Sequence, residues 1–329
     1  MTWLKYAVNQ DNTLIAIADV SSGKTKLFCP YCAGQLIARK GKVKKHHFAH
    51  AEETCYPVAT KKELPTLPLY DNFNIKLSGT ALQLLKKLWQ SFGVYEWGIP
   101  HLPELKPLIK AKVLQKNVYL QPPAYEFTAL GKIPIGALPL HEFNQVQEPL
   151  LLAKLAELSR QAELAKVIKS LNLAERLVDL RLYRAQFASI LLHNLYYLQI
   201  EADGLILHKI GVTKRYAQAQ ATPTITQRIP EIERDLSSHY QNIKVTVLGF
   251  WSHRGNVELY FKHRYKQFNY RIGSLTEYYL FRETSIADSV LDDLNQMQTK
   301  VLSLEEESVL VEASLYRNKE IDLQPVMVN

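Results

Sequence analysis

Two close pairs of metal-ligand residues near the start of this chain constrain its fold most. Cys29-Pro-Tyr-Cys32 is separated by fourteen residues from His47-Phe-Ala-His50. Zinc takes four soft or borderline ligands in a tetrahedron. A Cys-x-x-Cys turn supplies two of them from one tight loop, and a second close pair closes the site. Cys29, Cys32, His47 and His50 are therefore the expected zinc ligands. Cys55 is a fallback fifth candidate that otherwise stands as a free thiol. A redox dithiol would leave the paired histidines unexplained, and three cysteines confined to the first 55 residues do not make a disulfide framework.

Charge is distributed unevenly. Lys and Arg number 40 against 32 Asp and Glu, a net +8. Between Val20 and Ala51 stand Lys24, Lys26, Arg39, Lys40, Lys42, Lys44 and Lys45, with no acid. A second basic stretch holds Arg254, Lys262, Arg264, Lys266 and Arg271 around the single carboxylate Glu258. From Glu283 onward the chain turns acidic, with the run Glu305-Glu306-Glu307. Segregated charge of this kind suits a basic surface facing a polyanion and an acidic extension kept away from it. The chain opens Met-Thr-Trp-Leu-Lys, without the pattern of a secretory signal, and its most apolar run, Phe187 to Ile200, is interrupted by His193 and Asn194. It reads as cytoplasmic.

The pattern along the chain is α+β and multidomain. Residues 1–60 alternate short β-like runs with turns and hold every cysteine. Residues 68–145 open with a helix that Ser78 could cap, with Ala81, Leu84, Leu85, Leu88 and Trp89 at helical spacing. A short helix near 102–112 and two β-rich strips ending at Leu130-Gly131 follow, an order that resembles a winged helix. Residues 146–192 read as a long helix or a hairpin broken near Asn172. Residues 193–283 alternate β and α, and 284–329 form the acidic extension.

The string Phe28-Cys-Pro-Tyr-Cys32, Arg39-Lys-Gly-Lys-Val and His46-His-Phe-Ala-His50 resembles the N-terminal region of the CoiA-like competence proteins. Those proteins carry a different nuclease fold downstream, so the likeness implies a zinc module in DNA uptake or processing and not a shared active site. On it, Lys40, Lys42, Lys44 and Lys45 would sit between the ligand pairs and meet phosphates without reading sequence.

Residues 194–282 resemble the GIY-YIG endonucleases of the phage-type branch, whose second signature reads Lys-Ile-Gly. The first signature falls on Leu195-Tyr196-Tyr197-Leu198 and the second on His208-Lys-Ile-Gly-Val-Thr213. Tyr270-Arg-Ile-Gly and Glu277-Tyr-Tyr follow as the closing motif. The resemblance implies Tyr196, Arg228 and Glu258 as the catalytic set, Glu258 as the ligand of Mg²⁺ or Mn²⁺, and Lys209 among the DNA contacts. Glu258 would hold one Mg²⁺, Arg228 would offer a planar fork to the same phosphate, and Tyr196 would orient or deprotonate water.

Alternatives stand beside each assignment. Tyr197 would face the site if Tyr196 does not, Arg215 and Arg234 compete with Arg228, and Glu258 could simply pair with Lys262 four residues on. The sequence departs from the family at Asn194-Leu-Tyr, at Lys209 in place of a tyrosine, and in the long insertion between Thr213 and Arg228. The leading expectation is a DNA endonuclease. A non-catalytic DNA-binding or regulatory protein is the alternative, and an RNA-directed enzyme a third.

Overall fold

A computed structural model describes residues 3–41, 44–60, 64–119, 122–214 and 225–318, with side chains to 313. In chain order its first elements are β1 (Tyr6–Val8), β2 (Leu14–Ala16), β3 (Gly23–Phe28), β4 (Gln35–Arg39), β5 (His47–His50) and α1 (Tyr56–Thr60). Next come α2 (Gly79–Ser91), α3 (Lys106–Lys110), β6 (Leu114–Asn117), β7 (Ala124–Phe127), α4 (Ala129–Lys132), α5 (Leu140–Val167) and α6 (Leu173–Leu191). The remainder is β8 (His193–Ala202), β9 (Leu205–Lys214), α7 (Ile225–Leu236), β10 (Ile243–Trp251), α8 (Val257–Arg264), β11 (Asn269–Ile272), β12 (Leu275–Tyr279), α9 (Thr284–Asn295) and α10 (Leu304–Asn318). The fold is mixed α+β. Among the described residues no helix is long and apolar enough to cross a membrane.

The chain divides into two compact units built from separated segments: 1–67, 151–189 and 302–329 in one, 68–150 and 190–301 in the other. The stretch 146–192 and the extension 284–329, each read from sequence as one piece, are both shared between the units.

In the first unit the antiparallel sheet runs β2-β1-β3-β4-β5. Leu36 and Ala38 of β4 and Phe48 of β5 turn inward with Leu4, Ala7 and Ile17, leaving Arg39 outside. The first-unit part of α5 buries Leu151, Leu155, Leu158, Ala162 and Ala165, the spacing of one helical face. Tyr183 of α6 donates its hydroxyl to the Leu151 carbonyl at 2.7 Å. The acidic run does not form a loose tail. Ser303 and Glu306 close a capping box, Glu306 N–H to Ser303 Oγ at 3.3 Å and Ser303 N–H to Glu306 Oε2 at 2.9 Å. The run thereby starts α10, where negative charge suits the helix N-terminus.

The second unit is organised by the sheet β10-β8-β9-β12-β11. Its centre is the ten-pair hairpin β8–β9, closed by Asp203 (φ 47°) and Gly204 (φ 85°). Two successive left-handed residues make the tight turn that matches strand twist, and Asp-Gly favours it. Alternation along β8 sends Tyr197 to the face packed by α8 and Tyr196 to the face packed by α7. Helix α8 is pinned by Asn256, which donates to Asn144 Oδ1 (2.8 Å) and Gln147 Oε1 (2.9 Å). The start of α5 is held by Asp293, which accepts from the Leu140 N–H at 2.7 Å.

A smaller cluster in this unit joins α2, α3 and the hairpin β6–β7. Ser78 caps α2 as expected, accepting from Ala81 N–H at 3.2 Å. The winged-helix likeness is one of order alone. α3 is five residues long, too short for a helix that reads a major groove.

Candidate functional site

The metal-ligand cluster forms in the first unit, with one member exchanged. Cys29, Cys32, His50 and Cys55 bring their ligand atoms within 4.8 Å of one another. Cys29 Sγ lies 3.9 Å from Cys55 Sγ, and Cys32 Sγ lies 3.4 Å from His50 Nε2. Tetrahedral zinc with ordinary bond lengths separates two sulfurs by about 3.8 Å, and a sulfur from a nitrogen by about 3.5 Å. The donor set could hold zinc.

Local backbone prepares the sulfurs. The Tyr31 N–H points at Cys29 Sγ (3.4 Å) and the Gly34 N–H at Cys32 Sγ (3.3 Å), while Cys55 starts α1 and receives the Val58 N–H. Burial pushes the Cys29 thiol up to about 12, and the backbone N–H groups of Tyr31 and Cys32 oppose it. Those N–H groups would stabilise thiolates bound to a cation.

His47 is not part of the cluster. Residues three apart on a strand point to opposite faces, so β5 can deliver only one of its two histidines. His50 pairs across from Leu36 on the core face, His47 from Arg39 on the outer one. There His47 Nδ1 lies 2.8 Å from the Lys45 carbonyl and its ring packs against Trp3. Cys55 takes its place. A strand reading of His47-Phe-Ala-His50 would have excluded one histidine and left Cys55 as the fourth ligand.

The basic residues assigned to DNA are dispersed. Lys44 and Lys45 are exposed, Lys42 lies outside the described residues, and Lys40 donates to the Ala18 carbonyl at 3.1 Å. Lys209 is not a surface cation. Its side chain is 8% exposed, its Nζ is 2.9 Å from Glu277, and it sits over the Tyr278 ring. Arg254 is likewise internal, paired with Glu148, and Arg264 donates to the Gly136 and Leu138 carbonyls. Lys266 and Arg271 line an open groove with Lys262 and Glu277.

In the second unit, the Arg228 guanidinium lies near enough to the Tyr196 hydroxyl for each to act on the other's proton affinity. Tyr196 pairs across from Gly211 in β9, and a Cβ at Gly211 would lie 2.3 Å from the Tyr196 hydroxyl. The glycine is what lets the tyrosine ring lie against the strand. Burial raises the Tyr196 phenol above its ordinary value, and Arg228 pulls it back. The phenol is thus neutral and able to donate.

Glu258 Oε1 is 3.0 Å from Lys262 Nζ, which also reaches Glu277 at 2.8 Å. Burial would raise the Glu277 carboxyl, but Lys209 and Lys262 outweigh it and hold the group at about 2. Glu258, Lys262, Glu277 and Lys209 form one alternating chain of charge, close enough for Glu258 and Glu277 both to bear on Tyr196. Tyr197 points away into the aromatic core beside Phe261, and Arg215 lies outside the described residues. In the sequence Glu277 stands out only as part of the closing motif. Its link to both lysines was not visible from spacing.

No curated protein and no solved structure matches this chain. Residues 12–56, the segment that carries all four cluster ligands, match the family model of the N-terminal domain of the competence protein CoiA.

Proposed function

We propose that this chain is a metal-dependent endonuclease acting on phosphodiester bonds of DNA, with the N-terminal zinc module assisting DNA binding. The observation that carries the reading is the approach of Arg228 to the Tyr196 hydroxyl, near enough for each to act on the other's proton affinity and within electrostatic reach of Glu258. Tyr196, Arg228 and Glu258 are the residues that the GIY-YIG resemblance names, and they come from β8, α7 and α8.

Each residue has a role its surroundings suit. Arg228, its side chain 46% exposed and paired with Glu231, would grip a phosphate oxygen beside Tyr196. Tyr196, kept neutral by burial, would donate a hydrogen bond that orients the attacking water, and would not serve as its base. Glu258 has one oxygen paired with Lys262 and would offer the other to Mg²⁺ or Mn²⁺. The cation would lower the pKa of a bound water and offset charge on the phosphoryl oxygens. Lys262, held between Glu258 and Glu277, would supply positive charge near the leaving oxygen.

A second reading has its own support. The charges of Glu258, Lys262, Glu277 and Lys209 satisfy one another, as a structural network would. On that reading the protein binds DNA and does not cut it. Incubating supercoiled and single-stranded DNA with the protein, with and without Mg²⁺ or Mn²⁺, separates the two. Nicking is expected from wild type and lost in Glu258→Gln and Arg228→Ala, the first retaining DNA binding. Equal nicking by wild type and Glu258→Gln removes Glu258 from the site. No nicking by wild type under any metal leaves the binding reading.

A further inference from the structure

We propose that the outward face of the N-terminal sheet, carrying Lys24, Lys26, Arg39, His47 and Trp3, is a docking surface for single-stranded DNA. The inference rests on the DNA-directed reading above and adds where the strand lies and in what form it is held.

The strand register defines the face. Cross-strand partners share a side of the sheet, so the pairs Lys24 with Ile37, Ile37 with Ala49, and Arg39 with His47 put these residues together. Lys26, two residues beyond Lys24 and equally exposed, shares that side. The opposite side holds Leu36, Ala38, Phe48 and the ligand His50, so the metal cluster and this surface lie on opposite sides of the sheet. Trp3 precedes Leu4, which bridges to Phe48 and is buried in the core, and alternation turns Trp3 outward. Its ring centroid lies 4.0 Å from that of His47. The bond from the His47 ring to the Lys45 carbonyl fixes the ring against which the indole packs, the two planes tilted by 55°.

The composition of this face suits one kind of partner. The face carries Lys24, Lys26 and Arg39, and the segment from Val20 to Ala51 holds no carboxylate, so its charge complements a polyanion. A partly exposed indole set among cations and braced edgewise by His47 can offer a face for stacking. Unpaired bases offer their faces to such a platform, while a duplex keeps its own stacked. Lysine and arginine around it would follow the phosphates. His47, unused by the metal cluster, acquires a role as the support of Trp3.

The test uses the full, zinc-loaded chain and anisotropy of a short labelled oligothymidylate, beside a duplex of equal length, over a salt series. Wild type is expected to prefer the single strand. Trp3→Ala should weaken single-strand binding roughly tenfold with an unchanged salt slope, and Trp3→Phe should restore most of it. Lys24→Ala with Arg39→Ala should reduce the log–log salt slope by about 1.4, or about 0.7 per lost phosphate contact. Zinc content and melting midpoint, unchanged in each variant, show that the module is still folded. Wild-type affinity in both Trp3→Ala and the double variant overturns the proposal, as does a wild-type preference for duplex. If those variants bind normally while the protein still nicks DNA, this inference alone fails. If wild type binds neither probe, the DNA reading fails with it.

Discussion

The hydroxyl of Tyr31 donates to the carboxylate of Asp179 at 2.6 Å, across 148 positions of sequence. Tyr31 sits between Cys29 and Cys32, and Asp179 is a buried residue of α6. The metal-bearing turn is thus fastened to a helix that sequence placed in a separate linker. The bond has a charged acceptor in a partly buried setting, where removing the donor costs about 1.5–3 kcal/mol. Tyr31→Phe should lower the melting midpoint of the zinc-loaded protein by that order while leaving its zinc content intact. An unchanged midpoint would mean that the contact contributes nothing to the stability of the module.

The exchange of His47 for Cys55 gives a second expected outcome. Purified protein never exposed to chelator should carry a single zinc. Cys55→Ser should lose it readily to a chelator of moderate affinity, and His47→Ala should hold it as wild type does. Elemental analysis of the three proteins after matched chelator exposure decides this. Zinc lost in His47→Ala and kept in Cys55→Ser would restore the pairing of two histidines.

What could be read in advance followed from local rules. The Ser78 cap, the Asp203-Gly204 turn and the strands around Tyr196 are set by residues within a few positions of each other. Spacing alone misled where geometry depends on the type of element. Two histidines three apart suit a helix and are split by a strand, so His47 was read as a ligand. The Ser303–Glu306 capping box is equally local, but its glutamate belongs to the run Glu305-Glu306-Glu307, whose charge alone suggests a solvated tail. Contacts such as Lys209 to Glu277, 68 positions apart, depend on which strands become neighbours, and no spacing encodes that. A basic residue in sequence carries no mark of whether it faces solvent, as Arg254 and Lys209 show.

Gly211 should be sensitive to a single added methyl. A Cβ there would lie 2.3 Å from the Tyr196 hydroxyl and 2.5 Å from the adjoining ring carbon. The ring cannot retreat without leaving Arg228. Overpacking of this kind costs about 1–3 kcal/mol. Gly211→Ala is expected to fold with a lowered midpoint and to lose nicking out of proportion to that destabilisation. Tyr196→Phe keeps the ring and removes the hydroxyl, so it should melt close to wild type and also lose nicking. Full nicking by folded Gly211→Ala would show that the placement of Tyr196 is not what turnover needs.

The last prediction concerns acid. His208 is 3% exposed, lies at 18° to Tyr197 with ring centroids 5.5 Å apart, and its Nδ1 is buried without a hydrogen-bond partner among the described residues. Burial lowers its pKa from 6.5 to about 4, with Asp288 opposing. Above pH 6.5 the imidazole is neutral in both folded and unfolded chains and contributes no pH dependence. As pH falls from 6.5 towards 4 the unfolded chain takes up a proton that the folded one refuses, so stability is lost over that window. The full shift corresponds to roughly 3 kcal/mol as an upper bound. Glu277, held at about 2, acts lower down, its contribution present above pH 4.5 and lost as pH falls through 2. His208→Phe keeps a flat ring against Tyr197 and Phe281 and cannot titrate. Urea midpoints of wild type and His208→Phe, measured from pH 7.5 to 4.5, should differ little at the upper end. They should diverge below pH 6.5, with the variant the more stable, and zinc loss in acid, common to both, cancels in the difference. Parallel curves down to pH 4.5 would show that His208 is protonated as readily in the folded protein as in the unfolded one.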